Sequence, residues 1–354
     1  MYIKKIKNMK YLKLFKTDAD YQQFIGGGGD FLKPNVSLVT DTYSLYYNPM
    51  EKELPYLTIT ALEDDLIVSL SLNPCQYSLN GTEWNLLQAD EQTPAISSGE
   101  KIYFKAEGLI SDGRNGIGTF TVSKRFNLSG NCISMLFGDE AEGKTDLTGY
   151  DGSLMNLFYN CTGLEKVSKN FLPATTIEYN SYAYMFGGCT SLVTAPELPA
   201  TTLASSCYQG MFMNCTSLET LPSDFLPATT LANSCYQGMF MNCTSLETLP
   251  SDFLPATTLA NSCYMGMFQE CPLLLQAPEL PATNLARSCY YAMFHGCTSL
   301  NYIKMLATDI SANVCLDYWV DGVSSTGTFV KSKDATWNVT GKNGIPEGWT
   351  VETA

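Results

Sequence analysis

The side chains best suited to chemistry in this 354-residue chain are thirteen cysteines and a single histidine. Because His295 is the sole imidazole, a histidine-rich zinc site is excluded, and any nucleophile activated by histidine would depend on this residue. His295 lies in the segment MFHGC, and the equivalent positions of related segments hold methionine or glutamine. A position that varies this freely is not typical of a catalytic base. We therefore predict that the protein is not an enzyme.

The cysteines lack the spacing of a metal site. No C-x-x-C pair occurs, which argues against zinc. Cys235 and Cys243 are eight residues apart, and on a helix they would be separated by about 12 Å along the axis, too far for a disulfide. We therefore predict reduced, buried thiols that pack as small apolar side chains, with no metal and no cofactor.

Residues 138–145, GDEAEGKT, formally match the phosphate-binding pattern G-x-x-x-x-G-K-[ST]. The carboxylates of Asp139, Glu140 and Glu142 would repel a nucleotide, and the segment that follows begins no helix. The acidic residues here could attract calcium, but their spacing does not match an EF-hand. We interpret the stretch as a surface loop.

Composition excludes several classes of protein. With 21 basic and 35 acidic side chains, the formal net charge is -14, which argues against nucleic-acid binding. No apolar run approaches the roughly 18 residues of a membrane span. The chain is 45% hydrophobic and 16% charged, so it is not a disordered polyelectrolyte.

The N-terminal arm, residues 1–16, has the opposite charge. It contains no acidic residue and six lysines: Lys4, Lys5, Lys7, Lys10, Lys13 and Lys16. Its apolar segment YLKLF is too short for a signal peptide and no small-residue cleavage site follows, so we expect none. Two interpretations stay open: a solvated tail, or an anchor that docks on an acidic partner surface such as another virion or surface protein.

Internal repeats determine the predicted architecture. Residues 206–236 recur without change at 234–264. A cysteine of the MF-x-x-C-x-x-L core recurs at steps of 26 or 28 residues, and the two-residue difference falls between P-E-L-P-A and P-S-D-F-L-P-A. In SCYQGMFMNC, Cys235, Met239 and Cys243 have i, i+4, i+8 spacing, which predicts a short helix. The following L-E-T-L predicts a short strand. One unit cannot bury its own apolar face, so neighbouring units must stack.

Six copies of this core resemble the BspA-like leucine-rich repeats of Bacteroides-type bacteria: Leu157–Leu164, Met185–Leu192, Met211–Leu218, Met239–Leu246, Met267–Leu274 and Met293–Leu300. The tail, with GTF and GIPEGWTV, looks like the closing piece of such arrays. The opening, KYLKLFKTDADYQQF, is similar to the N-termini of structural proteins of Bacteroides phages. The resemblance implies adhesion and protein or cell-surface binding, and it supplies no catalytic residues.

We therefore predict an α/β leucine-rich-repeat solenoid, preceded by a small all-β sandwich-like domain and closed by a C-terminal β-hairpin cap. Turn signals separate strand-like segments between Tyr56 and Gly130. The predicted boundaries are 1–54 for the arm and attachment segment, 55–130 for the sandwich, 131–319 for six repeats and 320–354 for the cap.

Two sets of residues are candidates for binding. The first occupies outward strand positions, which align along a stack of repeats. We call it the Glu/Thr row: Glu165, Lys166, Thr194, Glu219, Thr220, Glu247, Thr248, Gln276, Asn301 and Tyr302. The second is a tyrosine ladder that serves either binding or packing, with packing favoured: Tyr182, Tyr208, Tyr236, Tyr264 and Tyr290.

The predicted function is non-enzymatic binding. Duplicated surface positions suit repeated weak contacts, whereas an active site needs unlike residues that converge. The first candidate is a multi-copy virion protein, a phage fibre or capsid-decorating protein, that contacts a host-surface protein or gut glycans. The alternative is a bacterial cell-surface adhesin of the BspA type, and an enzyme within the β-rich region is third.

Overall fold

The computed structural model describes residues 13–15, 44–46, 54–109, 111, 116–222 and 224–354. The chain divides into two compact units, Met1–Leu54 and Pro55–Ala354. In the first unit, strands β1 (Lys13–Phe15) and β2 (Ser44–Tyr46) pair in antiparallel fashion. The arm lysines other than Lys13 lie outside the described residues, so both interpretations of the arm stay predictions.

The second unit begins with seven short strands, each inside a segment whose alternation or turn signals predicted a strand. They are β3 (Leu57–Ala61), β4 (Val68–Leu70), β5 (Cys75–Ser78), β6 (Asn85–Leu87), β7 (Lys101–Lys105), β8 (Phe120–Val122) and β9 (Phe126–Ser129). Alternate residues of β4 and β9 are buried, as expected of strands that cover a core with one face.

The predicted self-contained β-sandwich is wrong. Strand β10 (Leu164–Val167) belongs to the first repeat and pairs with β9 in parallel fashion. Of strands β3 to β10, six form one mixed sheet in the order β10-β9-β3-β7-β5-β6, and β4 and β8 form a separate pair. The repeats therefore continue the sheet directly, because their first strand completes its edge.

The predicted α/β leucine-rich-repeat solenoid is also wrong. The only α-helix among the described residues is α1 (Ser134–Phe137), and the only 3-10 turns are Gly138–Glu140 and Lys169–Phe171. Each SCYQGMFMNC segment is instead a run of tight turns. We call this run the turn ribbon.

Backbone hydrogen bonds show how the turn ribbon differs from a helix. Alternate N–H groups close turns within the ribbon, as Met239 N–H does on the carbonyl of Tyr236 at 3.2 Å. The intervening N–H groups reach the next repeat, as Gly238 N–H does to the carbonyl of Met265 at 2.8 Å. Half of the donors that a helix would use internally therefore join neighbouring repeats, and this pairing stacks them.

The i, i+4 spacing predicted the buried positions correctly, but the helix inferred from it is wrong. Cys235, Met239 and Cys243 are all buried, as the pattern predicted. Every fourth residue, however, is left-handed: Ser234, Gly238 and Asn242 have φ of 53°, 60° and 60°. Glycine and asparagine accept this conformation readily, and it interrupts a right-handed helix. Their recurrence within the supposed helix was the sequence signal for the turn ribbon.

Stacked aromatic columns form the core of the repeats. One column of phenylalanines runs along the turn ribbons, and its central rings, Phe212 and Phe240, stack with centroids 5.7 Å apart. In the longer repeats the P-S-D-F-L-P-A segment adds Phe225 and Phe253, which are buried and stack at 6.0 Å. The extra residues are therefore part of the core, because each supplies a ring between two repeats.

The C-terminal segment extends the stack and does not form the predicted hairpin. Strands β11 (Tyr302–Met305), β12 (Thr328–Lys331) and β13 (Thr350–Thr353) are all parallel. A further turn ribbon crosses the predicted boundary at 319, with Phe294 N–H donating to the carbonyl of Trp319 at 2.8 Å. The predicted β-hairpin cap is wrong, because this segment uses the same repeat-to-repeat pairing.

Candidate functional site

The Glu/Thr row is aligned along the stack. Parallel bridges join Lys166 to Thr194 and Thr194 to Thr220, and another joins Gln276 to Tyr302. The residues of the row are exposed, except Glu165 and Tyr302, which are half-buried. The bridges therefore align Lys166, Thr194 and Thr220 in one part of the row and Gln276 and Tyr302 in another, with no bridge at Thr248 between them. The role of these residues in binding stays a prediction.

Most of this row is not regular β-structure. Among the described residues of the row, extended strands occur only at its two ends, in β10 and β11; Thr194, Thr220 and Gln276 have isolated bridges, and Thr248 has none. Proline follows L-E-T-L at Pro222 and Pro250 and has no N–H to donate, which limits pairing in these two repeats. The predicted strand in every repeat was therefore wrong.

Electrostatics distinguish the carboxylates of the Glu/Thr row. Arg125 donates to Glu165 at 2.6 Å and to Glu63 at 2.5 Å, so Glu165 belongs to an ion-pair network. Among the described residues, Glu219 and Glu247 have no ion-pair partner. These two exposed carboxylates are the unpaired negative charges that the described part of the row presents.

A second row, exposed except at Thr176, was not recognised in the sequence. It is formed by the threonines of the recurring P-A-T-T segment, and parallel bridges join Thr176 to Thr202 and Thr230 to Thr258. We call it the PATT row. The recurrence of two adjacent threonines was a signal that could have identified it, because exposed hydroxyls in register offer repeated hydrogen-bonding groups.

The outer face of the turn ribbons forms a shallow trough, also missed in the sequence. Its floor is Gly210, Gly238 and Gly266, and its walls include Gln237 and Met241. A β-carbon at Gly238 would meet only the methyl group of Met241, at 3.6 Å. Neighbouring packing therefore does not require this glycine, and the trough stays open there.

Aromatic side chains occur at the equivalent left-handed position in other repeats. Tyr184 and Tyr318 have φ of 55° and 56°. The Tyr184 ring lies over Gly210, and its hydroxyl accepts a hydrogen bond from Gln209 at 2.9 Å. The trough is open where adjacent repeats have glycine at this position and is covered where a repeat has tyrosine. The sequence of a single repeat therefore does not show it.

The tyrosine ladder is not a surface. All five rings are at most 2% exposed, and they stack with centroid separations of 5.8–6.1 Å. The ladder ends against Trp319, at 6.4 Å from Tyr290. As a binding surface the ladder is therefore wrong, because its rings lie inside the core; the packing interpretation agrees with this burial.

The thirteen cysteines are unpaired and buried. The cysteine that ends each turn ribbon donates its S–H to a phenylalanine carbonyl of the preceding layer, at 3.0–3.2 Å, as Cys243 does to Phe212. Burial raises the pKa of Cys161, Cys215 and Cys271 to about 12, so these thiols stay protonated donors.

We expect dithiothreitol to leave the melting temperature of protein isolated without oxidant unchanged, because no disulfide supports the fold. Differential scanning calorimetry with and without the reductant tests this. A decrease of several degrees would show that a structural disulfide exists.

His295 has two acidic neighbours that the sequence did not reveal. Its Nε2 lies 3.6 Å from Glu270 Oε1 and its Nδ1 lies 3.8 Å from Asp321 Oδ2. Both distances exceed a normal hydrogen bond. The geometry therefore places the imidazole between two carboxylates, and the expectation that His295 is not a catalytic base stays a prediction.

The segment that matched a phosphate-binding loop has other contacts. Asp139 is paired with Lys105, and the Lys144 ammonium lies 5.4 Å from the ring centroid of Phe137. Among the described residues, no cluster of three histidine, cysteine or acidic side chains could hold a metal ion. The segment is therefore tied to the protein surface by its charged residues.

No family model, curated protein or solved structure matched this chain in the comparisons made. The resemblance to BspA-like repeats and to phage structural proteins therefore stays an expectation from sequence. Within the described part of the chain, no helix is long and apolar enough to cross a membrane.

Proposed function

We propose that this protein is a non-enzymatic binding protein whose repeats hold a surface ligand through several equivalent weak contacts. The observation that carries the proposal is the duplicated, exposed pair Glu219-Thr220 and Glu247-Thr248 on adjacent repeats. The inter-repeat hydrogen bond from Tyr208 N–H to the carbonyl of Cys235, at 3.0 Å, sets the 28-residue register of these two repeats.

Repeated contacts suit this geometry. The two repeats carry the same sequence in the same register, so an extended ligand that crosses both meets the same carboxylate and hydroxyl groups in each. Each contact at an exposed site is weak, but contacts made on one ligand reinforce each other. A ligand with regularly spaced hydroxyl, amide or cationic groups fits this surface, which favours a host-surface protein or glycan.

The location that we propose is a virion, where many copies of the chain would present the row together. The basic arm would join the protein to other virion components, since its +6 charge complements acidic surfaces. Presentation on a bacterial cell surface is the second candidate. Mass spectrometry of purified virions separates the two, because a virion protein is recovered with the particles and a cell-surface adhesin is not.

Alanine at Glu219, Thr220, Glu247 and Thr248 together should weaken binding by about tenfold or more, because both copies of the contact are lost. Alanine in one repeat alone should have a much smaller effect. Each exposed substitution should change the free energy of unfolding by no more than about 0.5 kcal/mol. Binding is measured on an array of mucin-type glycans and on intact Bacteroides cells.

The matched control replaces Thr229 and Thr257, exposed residues of the PATT row in the same two repeats. This variant should bind as the unmodified protein does. Full binding by a folded quadruple variant would contradict the proposal. Loss of binding in the control alone would move the site to the PATT row.

A further inference from the structure

A column of thiols runs along the stack, separate from the thiols that end each turn ribbon. We call it the thiol column; its members are Cys207, Cys235, Cys263, Cys289 and Cys315. Backbone hydrogen bonds set its register: Tyr236 N–H donates to the carbonyl of Cys263 at 3.0 Å, and Tyr290 N–H donates to that of Cys315 at 3.1 Å. Each cysteine therefore lies beside the next member of the column.

This register brings neighbouring thiols within reach of each other. Backbones paired this way are about 4.8 Å apart, within the range of about 4.4–6.8 Å between Cα atoms that a disulfide spans. The argument that excluded a disulfide between Cys235 and Cys243 concerned two positions in one repeat. It does not apply to equivalent positions in adjacent repeats.

The last pair of the thiol column differs from the others. Cys315 is 3% exposed, whereas the other four members are fully buried. Its S–H donates to the carbonyl of Ile310 at 3.2 Å, in the segment that enters its own turn ribbon. Cys315 is therefore the most accessible member of the thiol column, and Cys289 is its neighbour in the column.

We propose that Cys289 and Cys315 form a disulfide when the folded protein meets a small-molecule disulfide oxidant such as oxidised glutathione. The bond would join the sixth repeat to the last turn ribbon. It would therefore hold the C-terminal layers, including β12 and β13, to the rest of the stack. This property is independent of the ligand that the repeats bind.

The reaction proceeds by two thiol–disulfide exchanges. The Cys315 thiolate attacks one sulfur of oxidised glutathione, which forms a mixed disulfide and releases glutathione thiolate, and this leaving group takes up the proton that Cys315 lost. The Cys289 thiolate then attacks the Cys315 sulfur and releases the second glutathione, which is protonated in turn. The two cysteines lose two electrons together, and one glutathione disulfide is reduced to two thiols.

The test treats the folded full-length chain with oxidised glutathione, blocks the remaining thiols with N-ethylmaleimide and maps disulfide-linked peptides by mass spectrometry. Chymotrypsin is suitable because it cleaves after the aromatic residues that separate Cys289 from Cys297. We expect a Cys289–Cys315 link, a loss of two free thiols and a higher melting temperature that dithiothreitol reverses.

Cys75→Ala provides a matched control, because Cys75 is also 3% exposed but lies in β5, outside the thiol column. It should retain the link, and Cys315→Ala or Cys315→Ser should abolish it. The proposal is overturned by links elsewhere, by glutathione left on Cys315 without ring closure, or by no reaction of the folded wild-type chain.

Discussion

Replacing Tyr236 by alanine should lower the free energy of unfolding by about 3–5 kcal/mol, the cost of removing a buried aromatic ring. Tyr236 is 1% exposed and stacks on Tyr208 and Tyr264, each at 5.8 Å. The cavity would interrupt the tyrosine ladder, because the lost ring stacks on the repeats at both of its sides. Urea denaturation followed by circular dichroism measures the change.

Tyr236→Phe is the matched control, and it should raise the free energy of unfolding or leave it unchanged. Among the described residues, the Tyr236 hydroxyl is buried without a hydrogen-bond partner. Leaving a polar group in that state costs about 1–3 kcal/mol, so its removal should not destabilise the protein. A large loss of stability in Tyr236→Phe would show that the hydroxyl has a partner, such as an internal water molecule.

Replacing Asp139 by alanine should destabilise the protein by about 2 kcal/mol, because it leaves a buried ammonium group unpaired. Lys105 is 6% exposed, and its Nζ lies 2.7 and 2.8 Å from the two carboxylate oxygens of Asp139. The Asp139 side chain is itself 58% exposed, so solvent screening reduces the effect below that of a fully buried pair. Urea denaturation at neutral pH measures it.

Lys105→Met provides the contrast for this pair. The methionine keeps most of the buried aliphatic volume, and the exposed carboxylate of Asp139 is then solvated. This variant should therefore lose less stability than Asp139→Ala. An equal or larger loss would indicate that the contact of the Lys105 ammonium with the Trp84 ring, at 4.3 Å, contributes more than the ion pair.

The pair formed by Lys105 and Asp139 also predicts that the free energy of unfolding depends on pH. The hydrogen bond from Lys105, with a second from the Tyr56 hydroxyl, holds the pKa of Asp139 below its ordinary value of 3.8. Folding lowers the pKa of Asp139, so its ion pair stabilises the protein fully at pH values above the pKa of Asp139 in the unfolded chain. This stabilisation is lost as the pH falls through the lower pKa of Asp139 in the folded protein. The difference between wild type and Asp139→Ala should therefore shrink below about pH 4.

The amino-acid sequence by itself determined the repeat register, the burial of the cysteines and the strand positions between Tyr56 and Gly130. These features depend on which side chains are apolar and at what spacing, and a single segment contains that information. The exposure of the duplicated pairs Glu219-Thr220 and Glu247-Thr248 could be predicted for the same reason, since they stand between inward leucines.

Only the tertiary structure decided between a helix and a turn ribbon. A spacing of i, i+4 indicates that Cys235, Met239 and Cys243 face inward, and these residues face inward in a helix and in a turn ribbon alike. The choice depends on alternate N–H groups, such as that of Gly238, whose acceptor is a carbonyl 27 residues away in the next repeat. The trough and the thiol column depend on the same pairing between layers. They could not be predicted from one repeat, because they exist only where neighbouring repeats stack.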